Sequence, residues 1–329
     1  MAGRRLRSSS SQARIAGQPE RRPHHLANAL ITLSAGWACV YLLTHGAWIP
    51  GADLSAWGFG ILAAGPVLLW LLLLRWPHSG LLKTVETFWL VPTLAFGHGL
   101  MGPLVDAASS RLLDARLAQV DLQLFGVHPS VRLGELTVPW VTELLMLCYY
   151  SYFLWLLVLG LVLYLQRRHA EFGQYALALS LFFILNFAGY ALVPAIGPRF
   201  FLASLFPGPL EGVWLTPLLE GGMRTPLFMR DCFPSGHTGA TLLVLTFAWR
   251  FERRVFAVML LPATGLILAT LVGRFHYAID LLAAIPLTAV AVGLATSLVR
   301  LDPHRSIRRV RVPIGRPLRP AHPREGLTA

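Results

Sequence analysis

Charged residues are scarce in this chain. Asp, Glu, Lys and Arg make up 13% of its 329 residues, while apolar side chains make up 55%. A soluble domain carries about a quarter charged residues, so this composition argues against a soluble globular protein. Cysteine is also scarce: Cys39 and Cys148 lie in apolar runs, and Cys232 stands alone in a polar segment. The sequence therefore indicates no disulfide between loops, and no Cys/His spacing resembles a zinc site.

Eight long stretches of the sequence contain no Asp, Glu, Lys or Arg. Most of the eight charge-free runs approach or exceed the roughly 20 residues that span the hydrocarbon core of a bilayer. The first run follows a basic stretch without a clear cleavage site, so we expect a retained helix rather than a removed signal peptide. We predict an all-α, polytopic membrane helical bundle with eight spans, at 26–44, 54–74, 88–105, 144–165, 174–198, 235–249, 255–273 and 281–299.

The net charge of +12 is concentrated at the two ends of the chain. Residues 1–25 hold six Arg against one Glu, and residues 300–329 hold eight Arg against two acids. Basic tails beside a membrane domain are typical of cytoplasmic anchors attracted to anionic lipid headgroups, so we predict no nucleic-acid partner. Both tails are rich in Ser or Pro, which predicts disorder.

Positive charge also predicts which loops lie inside the cell. The tails and the loops near Arg75, Arg167 and Arg253 carry the Lys and Arg residues, and an even number of spans places all of them inside. Both termini are then cytoplasmic. The segments on the extracytoplasmic side are 45–53, 106–138, 199–234 and 274–277.

The loop 106–138 carries apolar residues at helical spacing between 112 and 125. This pattern predicts a short amphipathic helix on the outer interface. The helix could be a packing lid over the bundle, or it could admit a lipid or its acceptor.

The first polar motif is Pro234-Ser235-Gly236-His237, at the start of an apolar run. Ser235 is a typical N-cap, and Gly236 allows a ligand to approach the backbone closely. Free amides at a helix start bind phosphate oxygens, so Ser235 and Gly236 are candidate phosphate-binding residues. His237 could then donate a proton to a leaving oxygen.

The second motif is Arg274-Phe-His276-Tyr-Ala-Ile-Asp280. Residues four apart share a helix face, so the Asp280 carboxylate could fix the His276 tautomer and leave its other nitrogen free to attack phosphorus. A His–Asp pair that merely caps a helix is the alternative. Arg274 and Arg199 are candidate phosphate clamps, because guanidinium groups match phosphoryl oxygens. Interfacial snorkelling could also explain both arginines.

Other polar residues are candidates for lining a substrate. His98 and Asn186 lie inside apolar runs, where polar groups are costly and are often functional, although either could simply hydrogen-bond a neighbouring helix. The remaining candidates lie in the outer half of the fourth run or just before the first motif: Glu143, Tyr149, Tyr150 and Asp231.

Together the motifs resemble the type 2 phosphatidic acid phosphatase superfamily, over roughly 110–299. The resemblance implies a six-helix catalytic domain, here within 83–299, preceded by two extra helices within 26–82. It also implies that His276 is a nucleophile oriented by Asp280, that His237 is the proton donor, and that Arg274 binds phosphate.

Two features depart from the phosphatases of that superfamily. Residues 190–199 contain no Lys before Arg199, and only one residue separates Arg274 from His276. Both features, and the segment 121–129, look more like the inositol phosphorylceramide synthase branch, an inositolphosphotransferase group.

We therefore predict a lipid phosphotransferase that transfers a phosphoryl or phosphoinositol-type headgroup at the outer leaflet without metal or other cofactor. Its expected partners are membrane lipids and an alcohol acceptor. A lipid phosphate phosphatase, with water as acceptor and a polyprenyl or phosphatidyl substrate, is the alternative. A non-catalytic lipid-binding or transport protein on the same scaffold is a further alternative, which should tolerate the loss of a histidine.

Overall fold

A computed structural model describes residues 23–109, 111–220 and 230–301. These residues form helices and connecting loops with no strand among them, which confirms the predicted all-α class. Most of the two predicted tails lies outside the described residues. Residues 23–25 of the first tail belong to the first helix, and residues 300–301 of the second tail are the last that the structure describes. The described residues between 23 and 296 form one compact unit.

The described helices are numbered in chain order. They are α1 (Pro23–His45), α2 (Ala52–Arg75), α3 (Gly80–Thr87), α4 (Leu90–Gly97), α5 (Met101–Ala108), α6 (Asp114–Phe125), α7 (Pro129–Leu136), α8 (Pro139–Tyr150), α9 (Tyr152–Leu165), α10 (His169–Leu192), α11 (Pro198–Phe201), α12 (Leu215–Glu220), α13 (Gly236–Phe251), α14 (Arg253–Val272) and α15 (Ala278–Arg300).

Five of these helices are each long and apolar enough to cross a membrane, namely α1, α2, α10, α14 and α15. Two further spans are bent: α3 continues into α4 and α5 with a 43° bend, and α8 continues into α9 with a 42° bend. The protein is therefore a multi-pass membrane helical bundle. The sixth predicted span, 235–249, forms α13, whose 16 residues fall short of the roughly 20 that cross a bilayer.

The bend between α8 and α9 interrupts a run that its composition alone predicts as one helix. The Ser151 hydroxyl donates to the backbone oxygen of Cys148 at 2.6 Å and accepts from the Trp155 indole at 2.9 Å. Serine side chains compete for backbone groups in this way and often bend helices. The bend places Tyr149 and Tyr152, on opposite sides of the break, against the same histidine, His237.

The two N-terminal helices pack closely because small residues line their contact. Buried alanines recur along α1 at positions 27, 35 and 38, and α2 presents buried alanines at positions 52 and 56. In a membrane, small residues at helix interfaces let backbones approach and gain van der Waals contact. Helix α1 also packs against α10, which joins the pair to the rest of the bundle.

The distribution of side chains matches a bilayer as solvent. Large apolar residues such as Trp37, Trp57 and Leu261 point outward and are 62%, 72% and 82% exposed. Polar groups lie inside instead: Asn186 and Asp280 are fully buried. Because buried polar groups in a membrane bundle are costly, their convergence marks a functional site.

Candidate active site

His276 and Asp280 form the buried pair that the second motif predicts. His276 lies in the loop just before α15, and Asp280 lies in the first turn of that helix. The Nδ1 atom of His276 lies 3.3 Å from Oδ2 of Asp280, and the backbone amide of Tyr277 donates to the same oxygen at 2.8 Å. Nδ1 is thereby engaged, which leaves Nε2 as the nitrogen for nucleophilic attack.

Cys232 completes this pair in a way that the motif does not predict. Its backbone oxygen lies 2.8 Å from Nδ1 of His276, closer than the carboxylate does. Its thiol donates to Oδ2 of Asp280 at 3.0 Å. Burial and the neighbouring Asp280 carboxylate raise the pKa of the Cys232 thiol well above its usual value, so the thiol stays protonated and acts as a donor.

A backbone hydrogen bond joins the two motifs. The amide of Ser235 donates to the backbone oxygen of Asp280 at 3.1 Å. This bond sets the start of α13 beside the start of α15 and brings the rings of His237 and His276 to 6.1 Å between centroids. The structure thus places the two predicted catalytic histidines within reach of one phosphoryl group.

The start of α13 has the predicted capped form. The Ser235 side chain accepts from the amide of Thr238 at 3.2 Å. Among the described residues, no acceptor binds the amides of Gly236 and His237. Two amides at a helix N-terminus that lack protein acceptors form a suitable cradle for phosphate oxygens.

Gly236 is required by close packing on α10. A Cβ atom at this position would lie 2.8 Å from the Tyr190 hydroxyl and 2.9 Å from Oδ1 of Asn186. The Asn186 side chain also donates to the backbone oxygen of Pro234 at 2.8 Å. Asn186 on α10 therefore positions the first motif.

Aromatic rings enclose His237. Tyr149 stacks on its imidazole with centroids 4.5 Å apart, and Tyr152 packs at the same centroid distance with a tilt of 46°. Tyr149 also stacks on Phe275, the neighbour of His276, at 4.4 Å. These contacts hold the His237 ring and place Tyr149 beside the segments that carry His237 and His276, and a substrate-lining role for Tyr149 stays a prediction.

Arg199 and Arg274 meet through their backbones, since the amide of Arg199 donates to the carbonyl of Arg274 at 2.9 Å. The Arg199 guanidinium donates to the Gly273 carbonyl at 2.7 Å and lies over the Phe275 ring at 4.6 Å. The turn is tight at Gly197, where φ is +88° and a Cβ would lie 2.8 Å from the Phe275 carbonyl. Arg199 is thus held next to the loop that carries His276.

The Arg274 guanidinium points to the loop that follows α11. It donates to the Gly208 carbonyl at 2.7 Å and lies 4.1 Å from the centroid of the Phe206 ring. Arg274 also has a left-handed backbone, with φ of +64°. Both arginines thus lie near His276, and phosphate binding by them stays a prediction.

Two acids of α6 anchor the site and were missed as functional candidates. Asp121 accepts from the amides of Ala278 and Ile279 at 2.8 Å each, at the start of α15. Asp114 accepts from the amide of Gly197 at 2.9 Å and from the Tyr277 hydroxyl at 3.0 Å. The sequence held a signal, because these acids are seven residues apart, on the face that α6 buries.

The remaining predicted lining residues have different surroundings. Glu143 accepts from the amides of Val213 and Thr216 at 3.0 and 3.2 Å and so binds the start of α12. Tyr150 packs edge-on against Tyr149. Their roles in substrate binding stay predictions.

Asp231 and His98 form an ion pair beside the first motif, with Oδ2 and Nε2 2.8 Å apart. Burial alone would raise the pKa of the Asp231 carboxyl, but the charge and hydrogen bond of His98 lower it to about 2. Asp231 is therefore ionised throughout the physiological pH range. The pair ties the segment before Pro234 to the residue that follows α4, and a substrate-lining role for Asp231 stays a prediction.

The fold and the site together define a multi-pass helical membrane protein that gathers two histidines, a buried carboxylate and an open helix start in one place. A family model described as the PAP2 superfamily matches residues 115–294, more than half of the chain, and the chain belongs to this superfamily. The match runs from α6 into α15 and contains all three predicted catalytic residues. The comparisons with curated proteins and with solved structures gave no match.

Proposed function

We propose that the protein is an integral membrane lipid phosphotransferase that works through a phosphohistidine. The observation that carries this proposal is the juxtaposition of His276, held by Asp280 and Cys232, with His237 at 6.1 Å between ring centroids. Membership of the PAP2 superfamily supports lipid phosphatase or phosphotransferase chemistry in general. The phosphohistidine intermediate, the transfer of a phosphoryl or phosphoinositol-type headgroup and the alcohol acceptor are proposed beyond that membership.

In the first half-reaction, Nε2 of His276 attacks the phosphorus of a lipid phosphomonoester or phosphodiester. A nitrogen–phosphorus bond forms as the bond to the leaving oxygen breaks. His237 gives its proton to that oxygen, so the departing alcohol leaves neutral. Asp280 stabilises the positive charge that His276 acquires, and the amides of Gly236 and His237 bind phosphoryl oxygens.

In the second half-reaction, His237 takes the proton of an acceptor hydroxyl as its oxygen attacks phosphorus. The nitrogen–phosphorus bond breaks, and both histidines return to their starting states. An alcohol acceptor gives a new phospholipid, whereas water gives free phosphate or a free phosphorylated headgroup. The reaction uses only groups of the chain, so the proposed site is metal-independent.

Transfer to an alcohol is favoured over hydrolysis by two sequence features. No Lys precedes Arg199 within residues 190–199, and a single residue separates Arg274 from His276. Both features resemble the inositol phosphorylceramide synthase branch. From the distribution of Lys and Arg among the loops, and counting α13 as an eighth span, we also propose that the active site lies on the extracytoplasmic face and uses outer-leaflet lipids, with both termini cytoplasmic.

Hydrolysis is the second candidate, because PAP2 superfamily members are typically phosphatases. One assay separates the two. Purified protein is incubated with labelled phosphatidylinositol or with labelled lipid phosphates, each with and without ceramide. A new labelled lipid that depends on ceramide supports the transferase. Release of water-soluble label alone, unaffected by ceramide, supports the phosphatase and overturns the transfer proposal.

The phosphohistidine itself is tested by trapping. A substrate labelled in the transferred phosphoryl group should label the protein within one turnover, and the label should be labile in acid and absent from His276→Ala. A wild-type protein that turns over without acquiring label would contradict the covalent mechanism.

A further inference from the structure

A second cluster of ionisable side chains lies where α1 meets α3, and the proposed reaction does not use it. Nδ1 of His25 lies 2.8 Å from Oε1 of Glu86, and Nε2 of His24 lies 3.5 Å from Oε2. The potential ligand atoms of these three residues all lie within 4.8 Å of one another. His24 and Glu86 are buried, while the His25 side chain is half exposed. We call these three residues the α1–α3 cluster.

The cluster is remote from the histidines of the active site. It lies at the start of α1, whereas Tyr41, near the other end of this helix, donates to the Ala107 carbonyl at 3.4 Å. The neighbouring Asp106 pairs with Arg230, just before the first motif. Because a helix rises about 1.5 Å per residue, the 17 residues from His24 to Tyr41 correspond to roughly 25 Å. The cluster is therefore a separate site.

The donor set is that of a transition-metal site. Two imidazole nitrogens and one carboxylate oxygen are ligands that Zn²⁺ prefers, and three protein ligands leave a fourth position for water. A buried carboxylate in a membrane bundle needs compensation, and one divalent cation would compensate Glu86 with both imidazoles neutral. Because the His25 side chain is half exposed, an ion from solution can reach the cluster.

A supporting residue holds the carboxylate in place. The Asn28 side chain, one turn along α1, donates to the Glu86 backbone oxygen at 3.0 Å and to Oε1 at 3.3 Å. Partners of this kind orient metal ligands, and their loss typically lowers metal affinity by roughly 10- to 100-fold. Asn28 lies on α1 with the two histidines, so one helix supplies two ligands and the group that orients the third.

We propose that the α1–α3 cluster binds one Zn²⁺ ion and so links the N-terminal helix pair to the catalytic domain. This proposal revises the sequence prediction of no metal. Glu86 lies about 60 residues from the two histidines along the chain, so no local spacing signals the site. Zinc bound here is structural and takes no part in phosphoryl transfer.

The test is metal binding by the full chain, purified in detergent without a histidine tag and stripped with EDTA. Zinc is added in excess, unbound metal is removed, and zinc per chain is measured by mass spectrometry. We expect the wild type to bind one more equivalent than His25→Ala or Glu86→Gln. Asn28→Ala should weaken zinc binding by about tenfold or more.

Matched controls separate this site from other metal binding. His78→Ala removes an exposed histidine from the loop before α3 and should bind zinc as the wild type does. Zinc held elsewhere, including by Cys232, His276 and Asp280, would remain in His25→Ala and Glu86→Gln. Zinc should also raise the melting temperature of the wild type more than that of His25→Ala. Equal zinc content in the wild type, His25→Ala and Glu86→Gln would overturn the proposal, whether or not the protein is a transferase.

Discussion

The imidazole rings of His237 and His276 lie 6.1 Å apart between centroids, on segments separated by 38 residues. The backbone hydrogen bond from Ser235 to Asp280 sets this separation, because it holds the starts of α13 and α15 side by side. The two rings have different surroundings: His276 is held by a carboxylate and a carbonyl, and His237 is enclosed by tyrosines. This asymmetry suits one histidine to nucleophilic attack and the other to proton transfer.

The first prediction concerns the nucleophile and its carboxylate. His276→Ala should abolish turnover. Asp280→Asn should remain folded and lose about 10²- to 10⁴-fold in kcat, because the amide cannot stabilise the cationic imidazole. The measurement is product formation alongside a melting curve for each variant. Full activity in His276→Ala would exclude the phosphohistidine mechanism.

The second prediction concerns the proton donor. His237→Asn should lose about 10²- to 10⁴-fold with lipid substrates, whose alkoxide leaving groups need a proton. The loss should be much smaller with a nitrophenyl phosphate, whose leaving group departs without protonation. The comparison of kcat for the two substrate types is the readout. An equal loss with both substrates would show that His237 acts in some other way than as a general acid.

The third prediction concerns Cys232. Since burial and Asp280 raise the pKa of its thiol, little thiolate exists at pH 7 to 8, and thiolate is the reactive form. In a protein whose Cys39 and Cys148 are replaced by Ser, alkylation should therefore be slow at neutral pH and accelerate only at strongly alkaline pH. The measurement is the rate of maleimide labelling against pH in the folded protein.

The same residue offers a matched pair of variants. Cys232→Ser keeps a donor for Asp280 and should retain most of the activity, whereas Cys232→Ala removes the donor and should be several-fold slower. Both variants keep the backbone carbonyl that binds His276. Rapid labelling at pH 7, or equal activities of the two variants, would contradict a role for the thiol as a hydrogen-bond donor.

The sequence predicted the two motifs of the candidate site, but it did not predict the residues that position them. The motifs at 234–237 and 274–280 are short and local, so their spacing alone places Asp280 near His276 and Ser235 at a helix start. Cys232, Asp114 and Asp121 act through contacts 44 to 163 residues away along the chain. Such contacts depend on how the helices pack, which hydrophobic patterning does not determine.

The same limit applies to the fold. Long apolar runs predicted the membrane helices, because hydrocarbon thickness sets a length that a sequence either reaches or does not. The break at Ser151 was not predicted, since the run 144–165 is apolar on both sides of it. The extension of the third span back through α3 was not predicted either, since α3 carries Lys83 and Glu86. The amphipathic pattern in 106–138 did predict α6, but not that its buried acids would bind the loop of Gly197 and the start of α15.

The fourth prediction concerns this anchoring by α6. Asp121→Asn keeps the shape of the side chain but replaces one acceptor oxygen with a donor, so one of the amides of Ala278 and Ile279 loses its partner. A buried unsatisfied group of this kind costs about 1 to 3 kcal/mol. The variant should therefore melt at a lower temperature. Glu135→Gln, an exposed substitution on α7, is the matched control and should melt as the wild type does.

The fifth prediction separates metal from catalysis. The proposed reaction takes its positive field from helix amides, guanidinium groups and an imidazole, so EDTA should leave the initial rate unchanged. His25→Ala is the informative variant, because it lacks a ligand of the α1–α3 cluster and should be as active as the wild type, with or without EDTA. If zinc at that cluster only stabilises the fold, EDTA lowers the melting temperature of the wild type without lowering its rate at moderate temperature.

Loss of activity in EDTA that returns with added metal, in both the wild type and His25→Ala, would instead place a metal in the reaction itself. Among the described residues, Cys232, His276 and Asp280 are side chains that could hold such a metal.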